Sequence, residues 1–175
     1  MFEDFKQFEK IFVTGPQRSG TTICAKMIAH DTGHAYIDEI DHEAQAKAFE
    51  ALLALNDGIN CVIQCPAFCH IIHRYGDDHA LVVLMRRPID DIIRSQKRIS
   101  WGDHVELSKY GLKEGIISAA KYAYFEQYQR HLIKHSKEVM YESLRPHPLW
   151  CDDRGYFASK QTEHSEEYRA YQIGE

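Results

Sequence analysis

The chain has 175 residues, and its 26 Asp and Glu residues exceed its 21 Lys and Arg residues, which gives a net charge of −5. A chain of this length fits a single domain, residues 1–175, that builds its own hydrophobic core. The negative charge argues against a nucleic-acid partner, and the longest apolar run, Ala80–Met85, is far shorter than the roughly 20 residues that cross a membrane.

Alternating apolar runs and helical periodicities predict the order of strands and helices. The predicted strands are Lys10–Thr14, Ala35–Ile37, Asn60–Gln64, Ala80–Met85 and Glu138–Tyr141. The predicted helices are Thr21–His30, His42–Leu55, a helix that begins at Pro88 and includes Ile99, and Glu114–His135. Strands that alternate with helices form parallel sheets with helical crossovers. The expected fold class is therefore α/β, a three-layer sandwich around a parallel sheet of about five strands.

A phosphate-binding loop is predicted between the first strand and the first helix. The segment from Gly15 to Thr22 has the P-loop spacing G-x-x-x-x-G-x-[ST], with a strand before it and a helix after it. Such a loop binds phosphate with backbone N–H groups and the N-terminus of its helix. The expected binding residues are Gly15, Arg18, Ser19, Gly20, Thr21 and Thr22. This motif makes the expected fold P-loop NTPase-like, and an ordinary glycine-rich turn is the alternative.

One position of the loop departs from the pattern of the nucleotide triphosphatases. Thr21 stands where those proteins carry a lysine, and the cation of the loop is Arg18 instead. In this setting the segment Arg18–Thr22 resembles the 5′-phosphosulfate loop of the sulfotransferase family. The resemblance implies 3′-phosphoadenosine 5′-phosphosulfate (PAPS) as co-substrate, 3′-phosphoadenosine 5′-phosphate (PAP) as product, and no required metal.

Two further segments are similar to sulfotransferase motifs. Arg87 and Ser95 follow the fourth predicted strand at the spacing with which the family binds the 3′-phosphate of its nucleotide. Arg86 is a competing assignment, and a basic, solvated helix face is the alternative explanation for the segment. Val139–Leu144 is similar to the family's V-x-Y-E-D-L segment, so the resemblance places Tyr141 near the adenine.

The reaction also needs a general base that deprotonates the hydroxyl or amine of the acceptor. Cytosolic sulfotransferases carry a His-x-Pro segment after the third strand, and the matching segment here begins with Gln64, which cannot accept the proton. The protein-tyrosine sulfotransferase branch uses a glutamate after the second strand, and Glu39 has that spacing from Arg18. Glu39 is therefore the expected base, with Asp38 second, and Arg18 is expected to stabilise charge on the leaving group. A solvated acid at a strand end is the alternative for Glu39.

The resemblance implies transfer of a sulfuryl group from PAPS to a hydroxyl or amine of an unknown acceptor. The expected partners are a small-molecule nucleotide and that acceptor. Two alternatives stay open. A P-loop kinase for small molecules or nucleotides has the same loop and an acid after the second strand, although the missing lysine argues against it. The other alternative is a nucleotide-binding protein without catalysis.

The five cysteines are odd in number and lack framework spacing, which predicts reduced thiols and a cytoplasmic location. Three of them, Cys61, Cys65 and Cys69, crowd one segment with His70 and His73. Burial as small apolar side chains is favoured over zinc binding because the spacing is not C-x-x-C. No metal ligand is assigned, and the two histidines are alternatives for lining the acceptor pocket.

Overall fold

The computed structural model describes residues 1–98 and 114–150. Within these residues, five strands form one parallel sheet in the spatial order β2-β3-β1-β4-β5. The strands are β1 (Lys10–Thr14), β2 (Ala35–Ile37), β3 (Cys61–Gln64), β4 (Ala80–Arg86) and β5 (Ser136–Met140). The predicted α/β class with a parallel sheet of five strands is confirmed.

Helices cover both faces of this sheet. They are α1 (Thr21–Thr32), α2 (Ala46–Leu55), α3 (Ile89–Arg98) and α4 (Glu114–Tyr124), and α4 continues into a π-helical turn at Phe125–Gln129. Alternate residues of β1 face opposite sides, as the pleat requires. Ile11 and Val13 belong to the core beneath α1, whereas Phe12 packs with Phe49 of α2 in the other core. Two cores separated by one sheet make the three-layer sandwich.

The second helix begins later than its sequence pattern predicts. Residues Glu39–His42 form a 3-10 turn that Asp38 caps by accepting a hydrogen bond from Ile40 N–H. Glu43 and Ala44 then adopt positive φ angles of 50° and 54°, which interrupt the helix. The predicted start at His42 is therefore wrong, and α2 begins at Ala46. The predicted position of Ile99 on α3 lies outside the described residues.

All strands end at the same edge of the sheet, because they are parallel. At this edge β1 lies between β3 and β4, so that the loop after β1 is flanked by the ends of two other strands. A crevice at the carboxyl ends of the strands is the usual ligand site of open α/β sheets. Among the helices of residues 1–98 and 114–150, none combines the length and apolar character that a membrane span requires.

Candidate functional site

The loop between β1 and α1 fits closely against the end of β4. Gly15 has a φ of 146°, and a Cβ built on it would lie 2.8 Å from Ser19 Oγ and 3.0 Å from Met85 O. Arg18 also has a positive φ, of 71°, which is uncommon outside glycine. Gly20 precedes α1 and supplies no capping side chain. The first N–H groups of α1 have no partner within the helix, so they are suited to bind an anion.

The glycine before α1 is required by its backbone and by a neighbouring ring. Gly20 has a φ of 102°, and a Cβ there would lie 2.4 Å from Cδ2 of Tyr141. We expect Gly20→Ala to destabilise the protein by more than the about 1–2 kcal/mol of left-handed strain alone, because Tyr141 must also move. Gly33→Ala is the matched control, since Gly33 has a φ of 73° with no atom within 4 Å of its Cβ position. Urea unfolding measures both losses, and equal losses would show that the ring does not pack against the loop.

Two arginines border the loop. Arg18 Nε donates to Ser95 Oγ on α3 at 3.2 Å. Arg87, which follows β4, donates from Nη1 to the carbonyl oxygen of Arg18 at 2.9 Å, and its guanidinium lies 4.1 Å from the centre of the Tyr141 ring. Within the described residues, Nε of Arg87 is buried and has no hydrogen-bond partner. The structure thus brings four predicted site residues together and leaves a cationic donor for an anion.

These cations lie close enough to affect one another. Burial lowers the pKa of Arg18, and the positive charges of Arg98 and Arg87 lower it further. An arginine stays protonated at neutral pH despite such a shift. The side of the loop that faces α3 is therefore a region of concentrated positive charge, which favours a phosphate-bearing ligand.

Arg86, the competing assignment for Arg87, is held by other groups. Its Nε donates to Glu138 Oε2 at 3.0 Å, it pairs with Glu126, and its guanidinium lies 4.7 Å from the centre of the Tyr122 ring. These partners tie Arg86 to β5 and to the turn after α4. Of the two arginines, Arg87 is the one bonded to the phosphate loop.

The predicted base approaches the loop from the other side. Glu39 N–H donates to Gln64 Oε1 at 3.2 Å, and Gln64 Nε2 donates to Thr21 Oγ1 at 3.3 Å. The Glu39 carboxylate accepts a hydrogen bond from Ala67 N–H at 2.9 Å. Gln64 occupies the position at which cytosolic sulfotransferases carry a histidine, and the sequence assigned it no role. In the structure, Gln64 links the end of β2 to the start of α1.

Opposing electrostatic effects act on the Glu39 carboxylate. Burial raises the pKa of Glu39, whereas the Ala67 N–H and the Lys121 ammonium group oppose this shift. A carboxylate whose pKa is moved toward neutrality is a better general base. Perturbed carboxyl groups in a crevice are also enriched at functional sites. Glu39 stays a predicted base, and Asp38 caps the turn that carries it.

Lys121 is a residue at this site that the sequence analysis missed. Its Nζ donates to Gln17 Oε1 in the loop at 2.6 Å and to Pro66 O after β3 at 3.2 Å. Burial lowers the pKa of Lys121, and the nearby Cys69 and Glu39 raise it. It is the only Lys or Arg in α4. This single cation was the one signal for a site residue that the sequence of α4 offered. Hydrophobic periodicity does not show that Lys121 contacts Gln17, which lies 104 residues earlier.

The cysteine and histidine segment does not gather into one site. Cys61, Cys65 and Cys69 have no exposed surface and belong to the core beneath α2. Burial raises the pKa of the Cys65 thiol well above its usual value, so Cys65 behaves as a small apolar side chain. His70 is exposed, and His73 Nδ1 donates a hydrogen bond to Gln129 Oε1 in the π-helical turn at 3.0 Å.

A different group of potential metal ligands lies away from the loop. His30, Asp31 and His147 each offer one ligand atom, and these atoms lie within 4.8 Å of one another. However, Leu149 N–H donates to Nδ1 of His147, and its Nε2 lies 3.0 Å from Asp31 Oδ1. Because Asp31 can only accept, Nε2 carries the proton, and neither nitrogen of His147 has a free lone pair for a metal.

A cleft of about 400 Å³ opens beside the loop, at the ends of β4 and β5. Its lining residues are Arg86, Arg87, Pro88, Ile89, Tyr122, Glu138 and Met140. Tyr122 is fixed in place because its hydroxyl donates to Met85 O at 3.0 Å and accepts from Arg87 N–H at 3.1 Å. The cleft is open to solvent, and it combines aromatic and aliphatic side chains with the charged groups of Arg86, Arg87 and Glu138.

Comparison with known proteins gives structural neighbours only. No protein-family model and no curated protein matches the chain. The chain is similar to shikimate kinase from Acinetobacter baumannii in complex with shikimate, with a TM-score of 0.54 and 15% identity over 79% of this chain and 88% of that one. Shikimate kinase from Bacteroides thetaiotaomicron matches with a TM-score of 0.45 and 16% identity over 74% and 85% of the two chains. The first similarity shows the fold, and the P-loop NTPase-like class is confirmed.

The predicted membership in the sulfotransferase family is wrong. The solved structure with a TM-score of 0.54 is a shikimate kinase, and neither a family model nor a curated relative supports the sulfotransferase resemblance. The sulfuryl-transfer activity, the co-substrate PAPS with its product PAP, and the metal-free reaction that the resemblance implied are corrected with it.

The residues behind that resemblance have roles within the structure itself. Arg87 and Ser95 both contact Arg18, so their spacing is explained by one residue before α3 and one within it that support the same loop. Tyr141 packs on Gly20 and on the Arg87 guanidinium. None of these contacts requires a 3′-phosphate.

Proposed function

We propose that the chain is a P-loop kinase, which transfers the terminal phosphoryl group of a nucleoside triphosphate to a hydroxyl of a small molecule. The observation that carries this proposal is the phosphate loop of β1 and α1, bordered by arginines on one side and by the Glu39 carboxylate on the other. Structural similarity to a shikimate kinase supports it, since the solved protein carries this chemistry on the same fold. The acceptor is accordingly expected to be a small molecule.

The phosphate loop and the residues around it bind the nucleotide. The N–H groups at the start of α1, together with Arg18 and Arg87, bind the phosphates. Thr22, exposed in the first turn of α1, stands at the hydroxyl position of the motif that binds the magnesium ion accompanying the nucleotide substrate. The cleft beside Arg87 accommodates the nucleoside, with Tyr122 as its aromatic wall.

The chemical step follows from the position of the carboxylate. The acceptor hydroxyl oxygen forms a bond to the terminal phosphorus, and the bond from that phosphorus to its bridging oxygen breaks to release a nucleoside diphosphate. The hydroxyl proton passes to the Glu39 carboxylate. Arg18 stabilises negative charge on the phosphoryl oxygens as the bond breaks.

Ligand-induced stabilisation tests the proposal without a known acceptor. A ligand present at 100 times its dissociation constant stabilises the folded state by about 2.7 kcal/mol, so Mg·ATP is expected to raise the melting temperature. Arg87→Ala removes a charge-assisted bond and is expected to weaken Mg·ATP binding by about 10- to 100-fold. Calorimetric titration measures the change in affinity.

Arg94→Ala serves as the control, since Arg94 lies on α3 with its side chain 74% exposed and pairs only with Asp91 among the described residues. It is expected to bind Mg·ATP as the unmodified protein does. Absence of any stabilisation by Mg·ATP contradicts the proposed function. Equal affinities of the Arg87 and Arg94 variants would instead remove Arg87 from the nucleotide site.

A further inference from the structure

The phosphate loop lacks its usual lysine, and the residue in that position is already engaged. Thr21 is 4% exposed, and its hydroxyl accepts a hydrogen bond from Gln64 Nε2 at 3.3 Å. The remaining cation of the loop, Arg18, donates its Nε to Ser95 on the α3 side. The opposite side of the loop, toward β3, therefore receives no cation from the loop itself.

Lys121 places a cation on that side. Its Nζ is bonded to Gln17 of the loop at 2.6 Å and to Pro66, which follows β3, at 3.2 Å. Because β3 and β1 are neighbours in the sheet, these two contacts place the ammonium group between the segments that follow the two strands. An ammonium group has three donors, and its contacts with the described residues use two of them, which leaves one for a ligand.

Lys121 has a carboxylate in its vicinity, Glu39, which raises its pKa, but it has no direct ion-pair partner among the described residues. In the described part of the chain, Nζ forms no ion pair with a carboxylate, and both of its hydrogen-bond acceptors are neutral oxygens. The side chain is partly buried, and burial lowers the pKa of Lys121. A partly buried ammonium group without a direct ion-pair partner favours the binding of an anion.

We infer that Lys121 replaces the missing loop lysine: it binds the terminal phosphate of the nucleotide from α4, across the loop, rather than from position 21. This inference rests on the proposed function. It makes Lys121 a phosphate-binding residue that contacts the group to be transferred, with Gln17 holding the ammonium group in place. Nucleotides that lack the terminal phosphate are then expected to gain little from Lys121.

Nucleotides with different numbers of phosphate groups test this assignment. Lys121→Met is expected to weaken the binding of Mg·ATP by about 10- to 100-fold, while AMP binds within about twofold of its original affinity. Lys121→Arg keeps the charge and is expected to retain most of the Mg·ATP affinity. Lys134→Met is the control, because Lys134 lies on the surface, paired with Asp78 at 2.6 Å, and should change neither affinity.

A relocated cation provides a second readout. Thr21→Lys restores the loop lysine, and in the Lys121→Met background it is expected to recover Mg·ATP binding, whereas a structural role of Lys121 predicts no recovery. If Thr21→Lys fails to fold, Lys121→Gln, which is neutral but keeps a hydrogen-bond donor, tests the inference instead. The measured quantity is its ratio of ATP affinity to AMP affinity. A ratio unchanged from that of the original protein overturns the inference.

The failures of the two proposals are distinguishable. If the unmodified protein binds no Mg·ATP, the proposed function is wrong. If it binds Mg·ATP and Lys121→Met binds it equally well, only the assignment of Lys121 is wrong. An effect confined to the KM of an acceptor also overturns the assignment, because it would place Lys121 at the acceptor and not at the phosphate.

Discussion

Glu39→Gln is expected to lower the rate of phosphoryl transfer by about 10²- to 10⁴-fold while the affinity for Mg·ATP stays within about twofold. The variant retains the shape of the side chain, and the amide oxygen can still accept from Ala67 N–H. The variant loses the carboxylate that takes the proton from the hydroxyl group of the small-molecule substrate. Single-turnover kinetics separates this chemical step from nucleotide binding.

The pH dependence of the same reaction gives an independent check. Burial raises the pKa of Glu39 above its usual value of 4.5, so the rate should fall on the acid side at a pH above 4.5. The active form is the carboxylate, and activity is lost as the pH falls through the raised pKa. This acid limb should be absent from the residual activity of Glu39→Gln.

Glu43→Gln is the matched control, since Glu43 is exposed, lies four residues later and contacts Gln45 at 3.2 Å. It is expected to leave rate and pH profile unchanged. A normal rate for Glu39→Gln would remove Glu39 as the base. Asp38, the second candidate, would then be tested in the same way.

Phe49→Ala is expected to cost about 3–5 kcal/mol of folding free energy, a large share of the about 5–15 kcal/mol that stabilises a domain. Phe49 is the only buried residue of α2. Its ring lies 4.7 Å from that of Phe68 and 4.8 Å from that of Tyr75, and it also packs against Phe12 of β1. Truncation leaves a cavity beneath α2, where Leu52 and Leu53 are the other residues of the helix that pack against this core.

Urea unfolding followed by circular dichroism measures this loss. Leu55→Ala is the control on the same helix, because Leu55 is 82% exposed and its truncation should change stability by less than about 0.5 kcal/mol. A loss for Phe49→Ala as small as that of the control would show that α2 is held by other contacts.

Sequence patterns predicted the strands better than the helices. Strands such as β4 are buried on both faces, and their continuous apolar runs are unmistakable. The start of α2 was misplaced because Glu43 and Ala44 adopt left-handed conformations, which no periodicity encodes. Leu55 matches the apolar stripe of α2 and is nevertheless exposed, since Leu52 and Leu53 are the last residues of α2 that pack against the core.

The candidate site was predictable where it is local and not where it is long-range. The phosphate loop is one continuous segment, so its glycines and Arg18 were visible in the sequence. Lys121 was missed because its place depends on how α4 crosses the sheet, which is a property of tertiary structure. The sulfotransferase resemblance was wrong. Arg87 and Ser95 both contact Arg18 of the phosphate loop, so their spacing reflects packing around a loop that several enzyme classes share.

Phosphorus NMR of the unmodified protein with Mg·ATP and a panel of hydroxylated small molecules detects phosphoryl transfer itself. A kinase with this site is expected to deplete the terminal phosphate signal of ATP in the presence of one acceptor class, with ADP and a new phosphomonoester appearing in equal amounts. Binding of Mg·ATP with no new phosphomonoester from any acceptor, or no binding of Mg·ATP at all, would contradict the assignment of this chain as a kinase.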